Sequence, residues 1–210
     1  MVITYLLNIF FPIACVWCGK EKGVVVCETC VKLVSPVLTH VTSADCWCIY
    51  RFSDGWVRKA LHAVKYGGVA GAAAALVGNV HSLGALSSVL PKGRDIVWLP
   101  VPVSKKRLKE RGYNQVERIM VELMKHFGGT MCCSVLVKRD RSSLVGKSKV
   151  ARAALIAGSF RARSFVVPEG AVIVLVDDLV TTGATMQSVR QALHDAGIKV
   201  DLTVGIAHEH

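Results

Sequence analysis

Stretches of consecutive apolar residues alternate along this chain with stretches in which apolar residues recur every three or four positions. The first kind of stretch is typical of strands buried on both faces, and the second is typical of helices packed against them. Residues 171–177 form the clearest predicted strand, and residues 95–101, 135–139, 160–166 and 200–207 form the others.

Predicted helices lie between these strands, at residues 56–65, 70–86, 105–127 and 185–196. Gly197 is well placed to end the last helix, because glycine readily adopts the left-handed conformation that closes many helices. The alternation of strands and helices predicts an α/β fold, with a mostly parallel sheet flanked by helices. In such sheets, ligands bind at the carboxyl ends of the strands.

Two C-x-x-C pairs lie near the N-terminus, Cys15 with Cys18 and Cys27 with Cys30. Two pairs at this spacing can place four thiolates at the corners of a tetrahedron, as structural Zn²⁺ sites require. Metal binding would then fold a segment too small to hold a core of its own. We therefore predict a zinc-binding module over residues 1–48, followed by the α/β domain over residues 49–210. Redox dithiols and buried free cysteines are the alternatives.

The remaining cysteines carry weaker signals. Cys46 and Cys48 are interpreted as two packed thiols, with a remnant of a second metal knuckle as the alternative. Cys132 and Cys133 lie in an apolar stretch and are predicted to belong to the core of a strand. His40 is interpreted as a histidine of a surface loop rather than a metal ligand.

The chain of 210 residues has a formal net charge of +11, from 26 basic and 15 acidic side chains. This balance favours an anionic partner, either a small phosphate ester or a nucleic acid. No apolar run reaches the roughly 20 residues of a transmembrane helix. Residues 1–17 are predicted to form a short amphipathic element packed on the protein, with a signal or membrane-surface segment as the alternative. Without an export signal, the eight cysteines indicate a reduced, cytoplasmic protein.

The segment V-I-V-L-V-D-D-L-V-T-T-G-A-T, residues 172–185, joins the clearest predicted strand to the last predicted helix. Its acidic pair, Asp177 and Asp178, lies where a ligand of such a sheet would bind. The turn after the pair consists of Thr181, Thr182, Gly183, Ala184 and Thr185. Backbone N–H groups, the helix dipole and the hydroxyls of this turn favour an anion, and Gly183 permits a close approach of the backbone.

Carboxylates accept hydrogen bonds well from vicinal hydroxyls, so this motif predicts a site for a sugar that bears a phosphate. It is neither a Walker loop nor a dinucleotide-binding loop, because both glycine signatures are missing. A helix capped by threonine beside two solvated aspartates is the alternative. That alternative explains each feature separately, but it does not explain their joint spacing.

The segment V-L-V-D-D-L-V-T-T-G-A-T-M resembles the phosphoribosyl pyrophosphate motif of type I phosphoribosyltransferases. In addition, L-L-N-I-F-F-P-I-A-C-V-W-C-G, K-Y-G-G, P-V-P-V-S and R-G-Y-N-Q occur in this order along nearly the whole chain. This succession is similar to the ComF family of competence-associated proteins. The resemblance implies a type I phosphoribosyltransferase fold and a link to DNA uptake and natural transformation.

The resemblance also implies roles for individual residues. Asp177 and Asp178 would contact the ribose hydroxyls, and the turn over residues 181–185 would hold the 5-phosphate. The reaction would displace pyrophosphate from ribose C1, with Mg²⁺ bridging pyrophosphate and ribose oxygens. A loop at the end of the strand over residues 95–101 is expected to cradle the pyrophosphate. Its residues are Val101, Pro102, Val103 and Ser104.

Positive charge for the pyrophosphate is expected from the segment that follows this loop. The candidates are Lys105, Arg107 and Arg111, of which Arg111 lies in the family-like R-G-Y-N-Q. Each could equally be a solvated cation on a helix face. Lys65 is an outside candidate for the same role.

Residues 136–160 are predicted to contain a mobile lid with a strong positive field. Its cations are Lys138, Arg139, Arg141, Lys147, Lys149 and Arg152. Leu144 and Leu155 stand where family members usually carry Gln and Asn. The chain therefore departs from the family pattern at positions linked to the acceptor chemistry. A second class of function therefore stays open, in which the chain binds phosphoribosyl pyrophosphate, a nucleotide or single-stranded DNA without transfer, alongside DNA-uptake proteins.

Overall fold

The computed structural model describes residues 14–20, 26–33, 35–67, 71–139 and 158–209. Most of the amphipathic element predicted over residues 1–17 lies outside these described residues, and so do residues 140–157 of the predicted lid.

The described strands are β1 (Thr39–Val41), β2 (Cys46–Arg51), β3 (Ile96–Pro100), β4 (Thr130–Met131), β5 (Leu136–Lys138), β6 (Phe160–Ala162), β7 (Val172–Val180) and β8 (Leu202–His208). The described α-helices are α1 (Glu28–Val31), α2 (Gly55–His62), α3 (Ala72–Val77), α4 (Val80–Ser87), α5 (Lys105–Arg111), α6 (Gln115–Phe127) and α7 (Ala184–Asp195). A 3₁₀ turn, Thr42–Ala44, joins β1 to β2, and a π-helical turn, Ala63–Gly67, continues α2.

Six strands form one sheet in the order β1-β2-β8-β7-β3-β4. Every neighbouring pair in this sheet is parallel except β1 with β2, which is antiparallel. Strands β5 and β6 form a separate antiparallel ribbon. The predicted α/β class with a mostly parallel sheet is therefore confirmed, and helices cover the sheet.

Strand β7 lies in the middle of the sheet and is buried on both faces. Val172, Val174 and Val176 pack into the hydrophobic cluster that includes helices α2, α3 and α6. Ile173 and Leu175 pack into the opposite cluster, together with helix α7 and the β5–β6 ribbon. Because successive side chains point to opposite faces, a strand covered on both sides needs the continuous apolar run seen in the sequence.

Two helices predicted as single segments are each broken in two. The predicted helix over residues 70–86 stops at Gly78, where Asn79 begins helix α4 by accepting a 3.0 Å hydrogen bond from the Ser82 backbone N–H. The predicted helix over residues 105–127 stops at Gly112, which has a φ of 78°. Asn114 then caps helix α6 through a bond from the Val116 N–H. Each pair of signals, a glycine stop and an asparagine cap, outweighs the continuous helical spacing.

Three strand predictions also differ from the structure. Strand β7 continues through the acidic pair to Val180, so Asp177 and Asp178 lie inside the strand. The strand predicted over residues 160–166 ends at Ala162. Cys132 is only half-buried and Cys133 is exposed, beyond the end of β4, so their assignment to a strand core is wrong. Apolar character alone does not distinguish a strand from a partly covered loop.

The predicted domain boundary at residue 48 falls inside β2. Strand β2 pairs with β8, from Trp47 opposite Val204 to Arg51 opposite His208, and β1 pairs with β2. The hairpin that precedes the boundary is therefore hydrogen-bonded to the main sheet. The division of the chain into two domains stays a prediction.

Candidate functional site

The candidate site is built around the two acidic residues of β7. Asp177 and Asp178 expose only 8% and 6% of their surface. The backbone N–H of Asp178 donates a 2.8 Å hydrogen bond to Asp177 Oδ1. Two adjacent residues of a strand point to opposite faces, so the two carboxyl groups meet different neighbours.

The neighbour of Asp178 is a lysine from the π-helical turn. Lys65 Nζ lies 2.5 Å from Asp178 Oδ2, and the Lys65 side chain is 20% exposed. A half-buried ion pair of this kind is much less screened by solvent than a surface pair. Lys65 therefore neutralises one of the two carboxylates.

Burial raises the pKa of Asp177 well above its ordinary value, and the nearby charge of Asp178 raises that pKa further. The hydrogen bond from the Asp178 backbone and the charge of Lys65 lower the pKa, but they offset only part of the increase. An additional cation close to Asp177 would favour its ionised form and so lower its pKa.

The turn after β7 exposes its hydroxyls. Thr181 and Thr182 are exposed, and Thr182 Oγ1 accepts a 3.5 Å hydrogen bond from the Ala184 backbone N–H. Ala184 and Thr185 open helix α7 and are half-buried. The first turn of the helix thus lies directly beyond the strand that carries the acidic pair, and its N-terminus is the positive end of the helix dipole.

Gly183 has a φ of 78° and approaches another part of the protein closely. A Cβ atom there would lie 2.8 Å from Ala44 Cβ and 3.0 Å from the Ser43 carbonyl oxygen. Gln187 of the same helix donates a 2.6 Å hydrogen bond to that carbonyl oxygen. Gly183 thus packs against the 3₁₀ turn Thr42–Ala44, whereas the close approach to an anion that the sequence predicted there stays a prediction.

The loop after β3 lies beside the acidic pair because β3 and β7 are neighbours. The Val101 N–H donates a 2.9 Å hydrogen bond to the carbonyl of Val176, one residue before Asp177. Asn114 Nδ2 donates to the Val101 carbonyl at 3.2 Å. Val101 is buried, whereas Pro102, Val103 and Ser104 are half-buried and Lys105 is exposed.

Ser104 begins helix α5 by accepting a 3.3 Å hydrogen bond from the Arg107 N–H. Its hydroxyl is thus the N-cap of that helix, a role that serine fills well. The structure therefore brings the predicted pyrophosphate loop and the acidic pair to the same edge of the sheet.

Arg111 contacts the π-helical turn. Its guanidinium donates 2.9 Å hydrogen bonds to Gln115 Oε1 and to the hydroxyl of Tyr66, and it also lies 4.6 Å from the centre of the Tyr66 ring. Tyr113 donates a 2.7 Å hydrogen bond to the Val64 carbonyl. The R-G-Y-N-Q segment therefore holds the turn that carries Lys65, a link that sequence reasoning missed.

Lys138 also belongs to the surroundings of the acidic pair. Burial and the charge of Arg107 lower its pKa, while the charge of Asp177 acts in the opposite direction. Its ammonium group lies 5.1 Å from the centre of the Phe160 ring. Lys138 thus lies within the electrostatic influence of both Arg107 and Asp177, although the sequence assigned Lys138 to a lid.

The four N-terminal cysteines form a separate cluster. Their sulfur atoms all lie within 4.8 Å of one another, and Cys15, Cys27 and Cys30 are buried while Cys18 is exposed. A search of the described residues for three or more neighbouring histidine, cysteine or acidic side chains that could hold a metal ion finds this cluster. The cluster is compatible with a structural Zn²⁺ site, because four sulfur donors at this separation suit tetrahedral coordination.

Backbone groups already support this cluster. The Cys27 N–H points at Cys15 Sγ at 3.4 Å, and the Gly19 N–H donates to the Cys15 carbonyl at 2.8 Å. Burial alone would raise the pKa of Cys15, but hydrogen bonds from the backbone of Cys18, Cys27 and Trp17 lower it to about 6. Thiolate character at one corner is what a metal site requires.

Cys46 and Cys48 are two packed thiols, as the sequence interpretation favoured. Both are fully buried on β2, and their sulfur atoms lie 4.0 Å apart. The contact with Cys48 and burial both raise the pKa of Cys46.

His40 lies on strand β1, with Nε2 3.2 Å from Asp45 Oδ1, and so it is not a loop residue.

No protein-family model matches the chain. Over 114 residues, or 54% of its length, it is 31% identical to competence protein ComFC of Streptococcus pneumoniae (strain ATCC BAA-255 / R6). Over 184 residues, or 87% of its length, it is 27% identical to competence protein ComFC of Bacillus subtilis (strain 168). The matched regions span 49% of the first relative and 72% of the second.

A mostly parallel sheet, an acidic pair at its central strand and an appended four-cysteine cluster define the class as phosphoribosyltransferase-like, with an N-terminal cysteine module. These features agree with the similarity of the chain to the two ComFC proteins and with its resemblance to the ComF family. Among the described residues, no helix has the length and apolar character that crossing a membrane requires.

Proposed function

We propose that this protein binds phosphoribosyl pyrophosphate together with Mg²⁺ and acts as a phosphoribosyltransferase. The observation that carries the proposal is the buried pair Asp177 and Asp178, directly followed by the hydroxyl-rich turn that opens helix α7. The carboxylates would accept hydrogen bonds from the ribose hydroxyls. The 5-phosphate would bind at the N–H groups and hydroxyls of residues 181–185.

The chemistry of the acidic pair fits Mg²⁺. Carboxylate oxygens are the ligands that Mg²⁺ prefers, and a bound cation would favour the ionised form of Asp177, whose pKa burial raises. When bound, Mg²⁺ would supply electrostatic stabilisation of the departing pyrophosphate. Asp177 and Asp178 are the residues that would hold it, directly or through the ribose oxygens.

In the proposed reaction, a bond forms between ribose C1 and a nucleophilic acceptor while the bond from C1 to pyrophosphate breaks. The electron pair of the broken bond leaves with pyrophosphate. The loop Val101, Pro102, Val103 and Ser104 would hold the departing group through the backbone N–H groups of Val103 and Ser104 and through the Ser104 hydroxyl, because the Val101 N–H bonds to Val176 and proline has no N–H. Lys105 and Arg111 would add positive charge near it, so that fixed dipoles and cations oppose the developing negative charge.

The four-cysteine cluster supports a structural role for Zn²⁺. Its four sulfur donors would fill all tetrahedral positions, which leaves no open position for substrate. The similarity to competence proteins supports a role in natural transformation. In that role the protein would act in the cytoplasm beside the DNA-uptake machinery.

The proposal is tested by thermal denaturation with Mg²⁺ and one of three ligands: phosphoribosyl pyrophosphate, a nucleoside monophosphate or an oligonucleotide. A specific ligand raises the free energy of unfolding by mass action, by about 2.7 kcal/mol at 100 times its Kd, and so raises the melting temperature. We expect phosphoribosyl pyrophosphate with Mg²⁺ to give the largest increase. The variant carrying both Asp177→Asn and Asp178→Asn should lose that increase, together with any Mg²⁺-dependent pyrophosphate release. Equal shifts with all three ligands would contradict the proposal.

Binding of single-stranded DNA is a second candidate, supported by the β5–β6 ribbon. Arg139, Arg161 and Arg163 line a cavity of about 410 Å³ there, together with Val137. Arginine side chains in a groove suit a phosphate backbone, and the resulting binding would weaken steeply with salt. Salt-sensitive binding of an oligonucleotide that survives the double Asp→Asn change would support this candidate.

A further inference from the structure

In the part of the chain that the structure describes, Lys65 forms an ion pair with Asp178 of the acidic pair. Its Nζ atom lies 2.5 Å from Asp178 Oδ2, while Asp177 and Asp178 are both more than nine-tenths buried. A divalent cation bound by this carboxylate would approach one of its two oxygens to about 2.1 Å. The cation and the Lys65 ammonium group would then lie on the same small carboxyl group and repel each other strongly, since Coulomb energies grow as separation and dielectric fall. Lys65 and a free divalent cation therefore compete for Asp178.

The backbone that carries Lys65 is held in place from outside the site. Residues Ala63–Gly67 form a π-helical turn, a rare geometry that occurs frequently at functional positions. Tyr113 bonds to the carbonyl of Val64, and Arg111 bonds to the hydroxyl of Tyr66. These contacts fix the residues on both sides of Lys65. Its four-carbon side chain remains able to move its ammonium group while the backbone stays in position.

We propose that Lys65 is the resident counter-ion of the acidic pair: it excludes free divalent cations and gives up its position when a cation arrives bound to a phosphate ligand. The identity of that ligand rests on the proposed function, but the competition between Lys65 and a cation does not. Once displaced, the Lys65 ammonium group can neutralise the anionic ligand that brought the cation. The site would thus respond to the metal–phosphate complex and not to the metal alone.

The experiment is a titration of the purified full chain with Mn²⁺ alone, followed by electron paramagnetic resonance and without any sugar phosphate. Lys65→Met removes the charge, Lys65→Gln does so with a polar side chain in case the first variant does not fold, and Lys65→Arg retains the charge. Lys199→Met is the matched control, because Lys199 forms an exposed ion pair with Asp201 at 3.9 Å. Folding of each variant is checked by circular dichroism.

We expect folded Lys65→Met or Lys65→Gln to bind Mn²⁺ at least about tenfold more tightly than the unchanged chain. Lys65→Arg and Lys199→Met should bind it as the unchanged chain does. Adding Asp178→Asn to the neutral variants should abolish the increase. Unaltered Mn²⁺ affinity in both folded neutral variants, or an increase that persists without Asp178, would overturn the proposal. Failure to bind phosphoribosyl pyrophosphate, in contrast, would contradict the proposed function but not the competition between Lys65 and Mn²⁺.

Discussion

The carboxyl group of Asp177 is buried, and so it holds its proton more tightly in the folded chain than in the unfolded chain. The folded-state pKa is raised, so the stability linked to this group is fully present below the unfolded pKa of about 3.9. It is lost as the pH rises through the raised folded-state pKa. At neutral pH, the buried carboxyl group of Asp177 therefore lowers the stability of the fold, which is common for residues kept for binding or catalysis.

We expect Asp177→Asn to melt at a higher temperature than the unchanged chain at neutral pH, because asparagine resembles the neutral acid and needs no deprotonation. The difference should shrink as the pH falls towards about 4, where Asp177 is protonated in the folded chain. Thermal denaturation from pH 4 to pH 8 measures it. Asp95→Asn, at an exposed aspartate before β3, serves as the control and should show no such dependence. A destabilised Asp177→Asn at neutral pH would contradict the explanation.

The sequence predicted the acidic pair because both residues and the following turn lie in one short segment. It ranked Lys65 as an outside candidate, because Lys65 is distant in the chain and nothing local indicates that it reaches Asp178. The same holds for Lys138, whose proximity to Asp177 depends on the placement of the β5–β6 ribbon. Local patterns thus predict residues that act within one segment, and tertiary packing decides which distant cations join them.

At the scale of elements, the turn Thr42–Ala44 supports the start of helix α7. It packs on Gly183, accepts a hydrogen bond from Gln187 and is followed by Asp45, whose Oδ2 lies 3.0 Å from Arg190 Nη2. The N-cap and the first two turns of α7 are therefore joined to the β1–β2 connection. The position of the proposed phosphate-binding turn depends on this packing as well as on β7.

Gly183→Ala should destabilise the chain by about 2 to 4 kcal/mol, from the left-handed backbone and from overpacking against Ala44. Gly197→Ala is the matched control, because Gly197 has a φ of 74° and open space around its Cβ position. That change should cost only the backbone contribution of about 1 to 2 kcal/mol. Denaturant unfolding of both variants measures the difference. Equal losses would show that the contact with Ala44 contributes nothing.

The elements themselves were largely predictable from the periodicity of apolar residues, and their ends were not. Residues 105–127 have uninterrupted helical spacing, yet the chain turns at Gly112 and restarts at Asn114. That break places Arg111 and Tyr113 against the π-helical turn. A glycine and an asparagine two residues apart were the available signal, and they outweigh a continuous hydrophobic stripe.

At the scale of the whole molecule, the four-cysteine cluster is tied to the α/β part through aromatic packing. Trp17, between Cys15 and Cys18, stacks on Trp56 of helix α2 with ring centres 5.5 Å apart and planes at 13°. Lys59 of the same helix points to the Trp17 carbonyl at 3.4 Å. A change in the cluster should therefore alter the packing of helix α2, which continues into the turn that carries Lys65.

If the cluster holds Zn²⁺, the purified chain should contain one zinc ion, and Cys18→Ser should reduce that content. The variant should also melt at least about 5 °C lower, since structural zinc contributes directly to folding. Metal analysis and thermal denaturation check both values. Cys133→Ser changes an exposed cysteine outside the cluster and should alter neither. Full zinc content in Cys18→Ser would contradict the four-ligand site.

The contact between Ala44 and Gly183 also decides where this chain can be shortened. A fragment that begins at residue 49 would lack strand β1, half of β2 and the whole 3₁₀ turn, and so it would expose one edge of the sheet. The proposed phosphate-binding turn would be exposed to water where it now packs against Ala44. Any trimmed version made for crystallisation or labelling should therefore keep everything from Thr39 onward.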